Sequence, residues 1–113
     1  MRSDTQRLDD VLCAAEAIRP HLTRGTLADG LVFDAVRVRL IEIGEAVKDI
    51  DPELLGTEPT IAWRDVARMR DQAHGYFDTD HAIIQATIDH DLPPLVAATE
   101  RLTQHLGAEQ DRT

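Results

Sequence analysis

Aromatic side chains are scarce in this chain of 113 residues: one Trp, one Tyr and two Phe make up 4% of it. So few large rings argue against a β-sandwich, whose core leans on them. Cysteine occurs once, at Cys13, which excludes an internal disulfide and any zinc site built on cysteines. No apolar run approaches the roughly 18 residues of a membrane span. The opening MRSDTQRLDD lacks the apolar stretch of a secretory signal. The expectation is a cytoplasmic protein with no membrane partner. Positive charge is also in deficit. The 12 Lys and Arg face 21 Asp and Glu, a formal net charge of −9, whereas proteins that hold nucleic acid electrostatically carry basic surfaces that displace phosphate counterions. A role on RNA then needs a local basic patch, a partner chain, or catalysis on weakly held substrate.

What the chain does have is aliphatic periodicity. Apolar residues are 42% of the sequence, mostly Leu, Val, Ile and Ala, enough for one core and therefore one domain over 1–113. Leu8, Val11, Leu12, Ala15, Ile18 and Leu22 recur at three- and four-residue steps and predict a helix over about 5–22. A second helix is predicted over about 27–50, with Phe33, Val36, Leu40, Ile43, Val47 and Ile50 on one stripe, stopping before Asp51-Pro52. The segment 51-DPELLGTEPT-60 reads as a loop. Thr60 is the expected N-cap of a third helix through Ala62, Val66, Met69 and Ala73, ended by Gly75. Asp78 or Thr79 is the expected cap of a fourth carrying Ile83, Ile84, Thr87 and Ile88. A fifth is expected from Asp91, with Pro93 and Pro94 in its first turn and Leu95, Val96, Thr99, Leu102 and Leu106 inward. The polar tail after Gly107 is expected to fray. No strand is predicted, and the fold class is an all-α, up-and-down bundle of four to five helices.

Chemistry concentrates in 68-RMRDQAHGYFDTDH-81. Residues four apart stack on one helix face, so Arg70 and His74 point the same way. A histidine near its unperturbed pKa of about 6.5 exchanges protons at neutral pH, and an arginine matches the shape and charge of a phosphate. Together they suffice for RNA cleavage without a metal. The histidine takes the proton of a ribose 2′-hydroxyl, which attacks the adjacent phosphate, and the arginine stabilises the added negative charge. A polar helix end is the other reading of the same residues.

Three further blocks bear on that choice. The stretches 37-RVRLIEIGEAVKDI-50, 59-PTIAWRDVARMRD-71 and 76-YFDTDHAIIQATIDHDLPPL-95, in this order around the Arg, polar residue and His-x-Tyr element, resemble the HepT-like toxins of the HEPN superfamily over most of the chain. The resemblance implies an all-α endoribonuclease toxin that leaves 2′,3′-cyclic phosphate ends and uses no metal and no cofactor. It implies Arg70 as the phosphate-binding arginine, Asp71 as its polar neighbour, His74 as the catalytic histidine and Tyr76 as the acceptor of AMP. The donor would be a nucleotidyltransferase antitoxin, whose transfer of AMP silences the toxin in a type VII-like pair. A bulky anionic adduct two residues from the histidine would repel substrate phosphate. It also implies a homodimer with both motifs on a shared cleft, where Arg64, Arg68 and Arg70 of each chain would gather around the RNA.

One departure stands out. The family usually places one more residue between arginine and histidine than the three found here, Asp71, Gln72 and Ala73. Counting from Arg68 instead puts Met69 where the polar neighbour belongs and turns the arginine roughly 120° from His74. The alternative reading is therefore a weakened or inactive scaffold that dimerises and binds a nucleotidyltransferase. Among the other residues, Glu45 is either a solvated charge or the partner of an arginine at a helix interface, where Gly44 permits close approach. Trp63 is read as a core or interface anchor and Cys13 as a small core residue. His81 and His90 are read as surface or helix-end residues, and His21 and His105 as favourable partners of a helix C-terminus. The steps Asp71-x-x-His74 and Asp78-x-x-His81 lack the inward carboxylates on facing helices that a metal site needs.

Overall fold

The first three helices each begin where a side chain captures free N–H groups of the first turn. The computed structural model describes residues 2–74 and 81–111, without the side chains of 72–74, 110 and 111. Helix α1, Asp4–Leu22, opens on a capping box: Ser3 Oγ accepts from the Gln6 amide, and the Ser3 amide donates to Gln6 Oε1 at 2.8 Å. Helix α2, Gly30–Lys48, starts three residues later than the periodicity suggests. Asp29 Oδ1 takes the Leu31 amide at 2.9 Å and fixes the start there, leaving Leu27 as a buried plug ahead of the helix. The stretch expected to be all loop contains a single turn, α3, Pro52–Leu55, with Asp51 as cap and proline at its first position. It buries Leu54 and Leu55.

Helix α4, Trp63–His74, does not start on Thr60. Thr60 lies in a turn, and the Ala62 carbonyl accepts the first helical bond, from Val66. The expected stop at Gly75 and the caps at Asp78 or Thr79 lie outside the described residues. Beyond them, α5, His81–Ala86, and α6, Leu92–Asp111, are not separated by a break at Asp91. A π-helical turn over Thr87–Asp91 joins them, in which the Leu92 amide reaches back five residues to the Thr87 carbonyl. Pro93 and Pro94 have no N–H, and their rings crowd the carbonyls four residues earlier. A wide turn at that point lets the helix run on through them. The resulting rod of about 46 Å matches the 49 Å long axis of the molecule. The tail expected to fray continues α6 as far as Asp111.

Helix α2 is central, packed against α1 on one side and α4 on the other, while α1 also packs against α6. Leu8, Val11, Ile18, Val36, Leu40, Ile43 and Leu102 are essentially sealed from solvent between α1, α2 and α6. Thr99 is buried with them, its hydroxyl donating to the Leu95 carbonyl at 2.7 Å. Cys13 is not in this core. It is exposed, because two residues past Val11 is the opposite side of a helix. The Asp9 carboxylate, within 3.8 Å of its thiol, holds the thiol pKa above the ordinary cysteine value. Among the described residues no helix is long and apolar enough to cross a membrane.

Candidate active site

The site is built where α4 crosses α2, and the crossing is set by the absence of a side chain. A Cβ on Gly44 would lie 2.8 Å from the Arg70 backbone nitrogen, and 3.0 Å from both the Ala67 carbonyl oxygen and Arg70 Cβ. Only glycine lets the two backbones meet this closely. The next residue, Glu45, places Oε1 2.9 Å from Arg70 Nε, and Asp71 Oδ1 lies 3.9 Å from the same nitrogen. Of the two readings of Glu45, the structure gives both parts: it pairs with an arginine across a helix interface, and its side chain remains half exposed.

Arg70 is divided along its length. Its Nε is buried, while about a third of the side chain is exposed. The Nε–H direction misses Oε1, so this close contact is an ion pair without an aligned hydrogen bond. Two carboxylates therefore flank the Nε of a partly exposed arginine.

Helix α4 is continuous from Trp63 to His74. Four residues of helix turn the chain through about 400° and rise about 6 Å, so Arg70 and His74 originate about 40° apart around the axis, one turn from each other. The side chain of His74, and all of Tyr76, lie outside the described residues. The other arginines do not converge with Arg70 within one chain. Arg68 is exposed, 3.8 Å from Asp65, and lines a cavity of about 750 Å³ between α4 and the α5–α6 rod, with Met69, Ile83 and Leu95. Arg64 is exposed one turn before it.

The surroundings hold α4 in place through few polar contacts. Trp63 packs on the edge of the core and donates from Nε1 to the Glu58 carbonyl at 3.0 Å. Glu58 in turn accepts from Arg101 of α6 at 2.7 Å, which keeps its carboxyl below the ordinary glutamate range. His81, read from the sequence as a surface or helix-end residue, is exposed at the start of α5 but stacks on Phe33 of α2, ring centroids 4.5 Å apart. The Arg37 guanidinium lies over the same Phe33 ring. Nothing in the local pattern signalled that stack, since it joins two distant helices. His21 accepts from Arg39 at 3.3 Å, and His105 pairs with Glu109. Among the described residues no group of three or more His, Cys, Asp or Glu is arranged to hold a metal ion.

Comparison with known proteins gives a consistent picture. The model of the family described as "Ribonuclease HepT-like" matches residues 11–102. The chain is similar to "Probable ribonuclease HepT" of Thermococcus cleftensis, 35% identical over 107 residues that cover 89% of this chain and 96% of that protein. It is also similar to "Putative RNase MJ0127" of Methanocaldococcus jannaschii, 28% identical over 77% of this chain and 73% of that protein. A third relative, "Putative RNase TTE0752" of Caldanaerobacter subterraneus, is 36% identical over 59% of this chain and 62% of its own length. No solved structure matches the chain significantly.

Proposed function

The chain belongs to the HepT-like ribonuclease family, and from that premise we propose that it is a metal-independent endoribonuclease whose catalytic pair is His74 and Arg70. His74 takes the proton of a ribose 2′-hydroxyl. The freed oxygen attacks the neighbouring phosphorus, and the bond to the 5′ oxygen of the next nucleotide breaks. That oxygen takes up a proton to leave as a hydroxyl, the imidazolium gives its proton back to solvent, and a 2′,3′-cyclic phosphate remains. Arg70 stabilises the extra charge on the phosphorus oxygens, with Asp71 beside it. The observation that carries this reading is the unbroken α4, anchored at Gly44, with Arg70 and His74 one turn apart.

The short spacing favours rather than opposes that pairing in a regular helix. One more residue between the two would set them about 140° apart instead of about 40°. His74→Ala and Arg70→Ala are each expected to cut the rate on a defined RNA by about a hundredfold or more. Equal cleavage by wild type and both variants overturns the assignment.

The regulatory setting is part of the same proposal. The chain acts as the toxin of a type VII-like pair, as a homodimer in the cytoplasm, and a nucleotidyltransferase antitoxin silences it by transferring AMP to Tyr76. Tyr76→Phe is then expected to accept no AMP from that partner, and undiminished labelling sinks this part. A second reading, a scaffold that binds the nucleotidyltransferase without cleaving RNA, draws on the two carboxylates within 4 Å of Arg70, which compete with a substrate phosphate. It predicts partner binding with no difference between wild type and His74→Ala on RNA.

A further inference from the structure

We propose that Glu45 is a positioning residue for Arg70: it holds the root of the guanidinium from α2 so that the outer end is aimed at a substrate phosphate. The inference rests on the catalytic reading of Arg70 given above. Its grounds are geometric. Gly44 brings the two backbones together at Arg70 itself, so the arginine leaves α4 at the point of closest approach to α2. Glu45, one residue further along α2, then meets the side chain at Nε, 2.9 Å away.

Nε is the lateral donor of the guanidinium, and the four remaining N–H groups sit on the two terminal nitrogens. A carboxylate at Nε grips the side of the fork, and the end of the fork is the part that takes a phosphate in the bidentate manner. Arg70 suits that division, with a buried Nε and about a third of its side chain exposed. Catalytic hydrogen bonds often tighten only as the transition state forms, and Oε1 already lies within hydrogen-bonding distance of Nε.

A purely structural role predicts something different. A half-exposed ion pair contributes little to folding, so loss of the carboxylate barely moves stability. An arginine free to swing loses transition-state contact, and a displacement of about 1 Å costs about a hundredfold in rate. Glu45→Ala is therefore expected to lower kcat about a hundredfold with KM changed less than about threefold, and to leave the melting temperature in place. Glu45→Gln keeps an acceptor oxygen at Nε and is expected to recover most of the rate.

Two measurements on the full chain decide the matter. In the nitrogen–proton spectrum of arginine side chains, the Arg70 Nε–H signal, identified by its loss in Arg70→Lys, is expected to exchange slowly with water in wild type and fast in Glu45→Ala. Steady-state cleavage of a fluorogenic RNA gives the kcat and KM split, with His74→Ala as the reference for background. An unchanged Nε–H signal overturns the proposal, as does a rate unaffected by Glu45→Ala, or one that rises. A rate that falls only in step with melting temperature overturns it too. If wild type cleaves no faster than His74→Ala, the catalytic reading fails by itself, and the exchange measurement still decides whether Glu45 holds Arg70.

Discussion

The two sides of α2 are packed on different terms. Toward α1 and α6 it presents Val36, Leu40 and Ile43, all at most 2% exposed, and the interface is a dry aliphatic core. Toward α4 it presents Gly44 and Glu45, and from Trp63 to Asp71 no side chain of α4 is fully buried. One side is held by fully buried aliphatic area, the other by backbone proximity, a few polar contacts and the half-buried Trp63, Val66, Ala67 and Met69 at the edge of the core. A helix held in the second way contributes less to global stability and more to geometry. That suits the role proposed for Arg70, which would have to meet a phosphate at a defined angle.

The contrast breaks most visibly in the core. Leu40→Ala is expected to cost about 2–5 kcal/mol, read by urea denaturation, whereas Met69→Ala, half-buried on α4, is expected to cost clearly less. Similar losses would mean that α4 is as much a core helix as α2. Next comes Gly44→Ala, which drives a methyl group into the Arg70 backbone and is expected to destabilise by about 1–3 kcal/mol while depressing cleavage further than stability alone explains. Gly107→Ala is its control: nothing lies within 4 Å of the added carbon, so in α6 the change is expected to stabilise by about 0.5–1 kcal/mol. Trp63→Phe removes the bond to the Glu58 carbonyl and is expected to cost about 1 kcal/mol by thermal unfolding.

The smallest effect is pH-dependent. Glu58 is held below the ordinary glutamate range chiefly by the hydrogen bond from Arg101. A carboxyl whose folded pKa is depressed stabilises the fold above the unfolded value, and that contribution is lost as pH falls through the folded one. Glu58→Gln is therefore expected to flatten the acid side of the stability curve slightly, by lowering stability a little at neutral and alkaline pH and leaving it unchanged at low pH. High salt is expected to mimic it.

Much of this was legible in the chain because it is local. The stripe Leu8, Val11, Ala15, Ile18 and its partner Val36, Leu40, Ile43, Val47 are buried as their spacing requires, and Gly44 between larger residues marked a close helix approach. Other features misread where two local signals compete. Asp29 overrides the apolar Leu27 in setting the start of α2, and Ala62 rather than Thr60 precedes the first bond of α4. Pro93 and Pro94 look like a helix start, yet a π turn absorbs the bonds that they cannot make. Cys13 was misplaced by residue type, since its helical phase alone puts it on the outer side with Asp9.

By itself, then, the sequence determined that the chain is helical, where its apolar faces run, and, through blocks in a fixed order, which ribonuclease family it belongs to. These follow from the 3.6-residue period and from short-range capping, which need no knowledge of neighbours. Only the tertiary structure decided that Glu45 meets Arg70, that Arg68 faces the α5–α6 rod instead, and that Phe33 stacks on His81. Those meetings depend on how closely and at what angle separate helices cross. The crossing is fixed by the shape of both surfaces together, here above all by the one place on α2 where a side chain is absent.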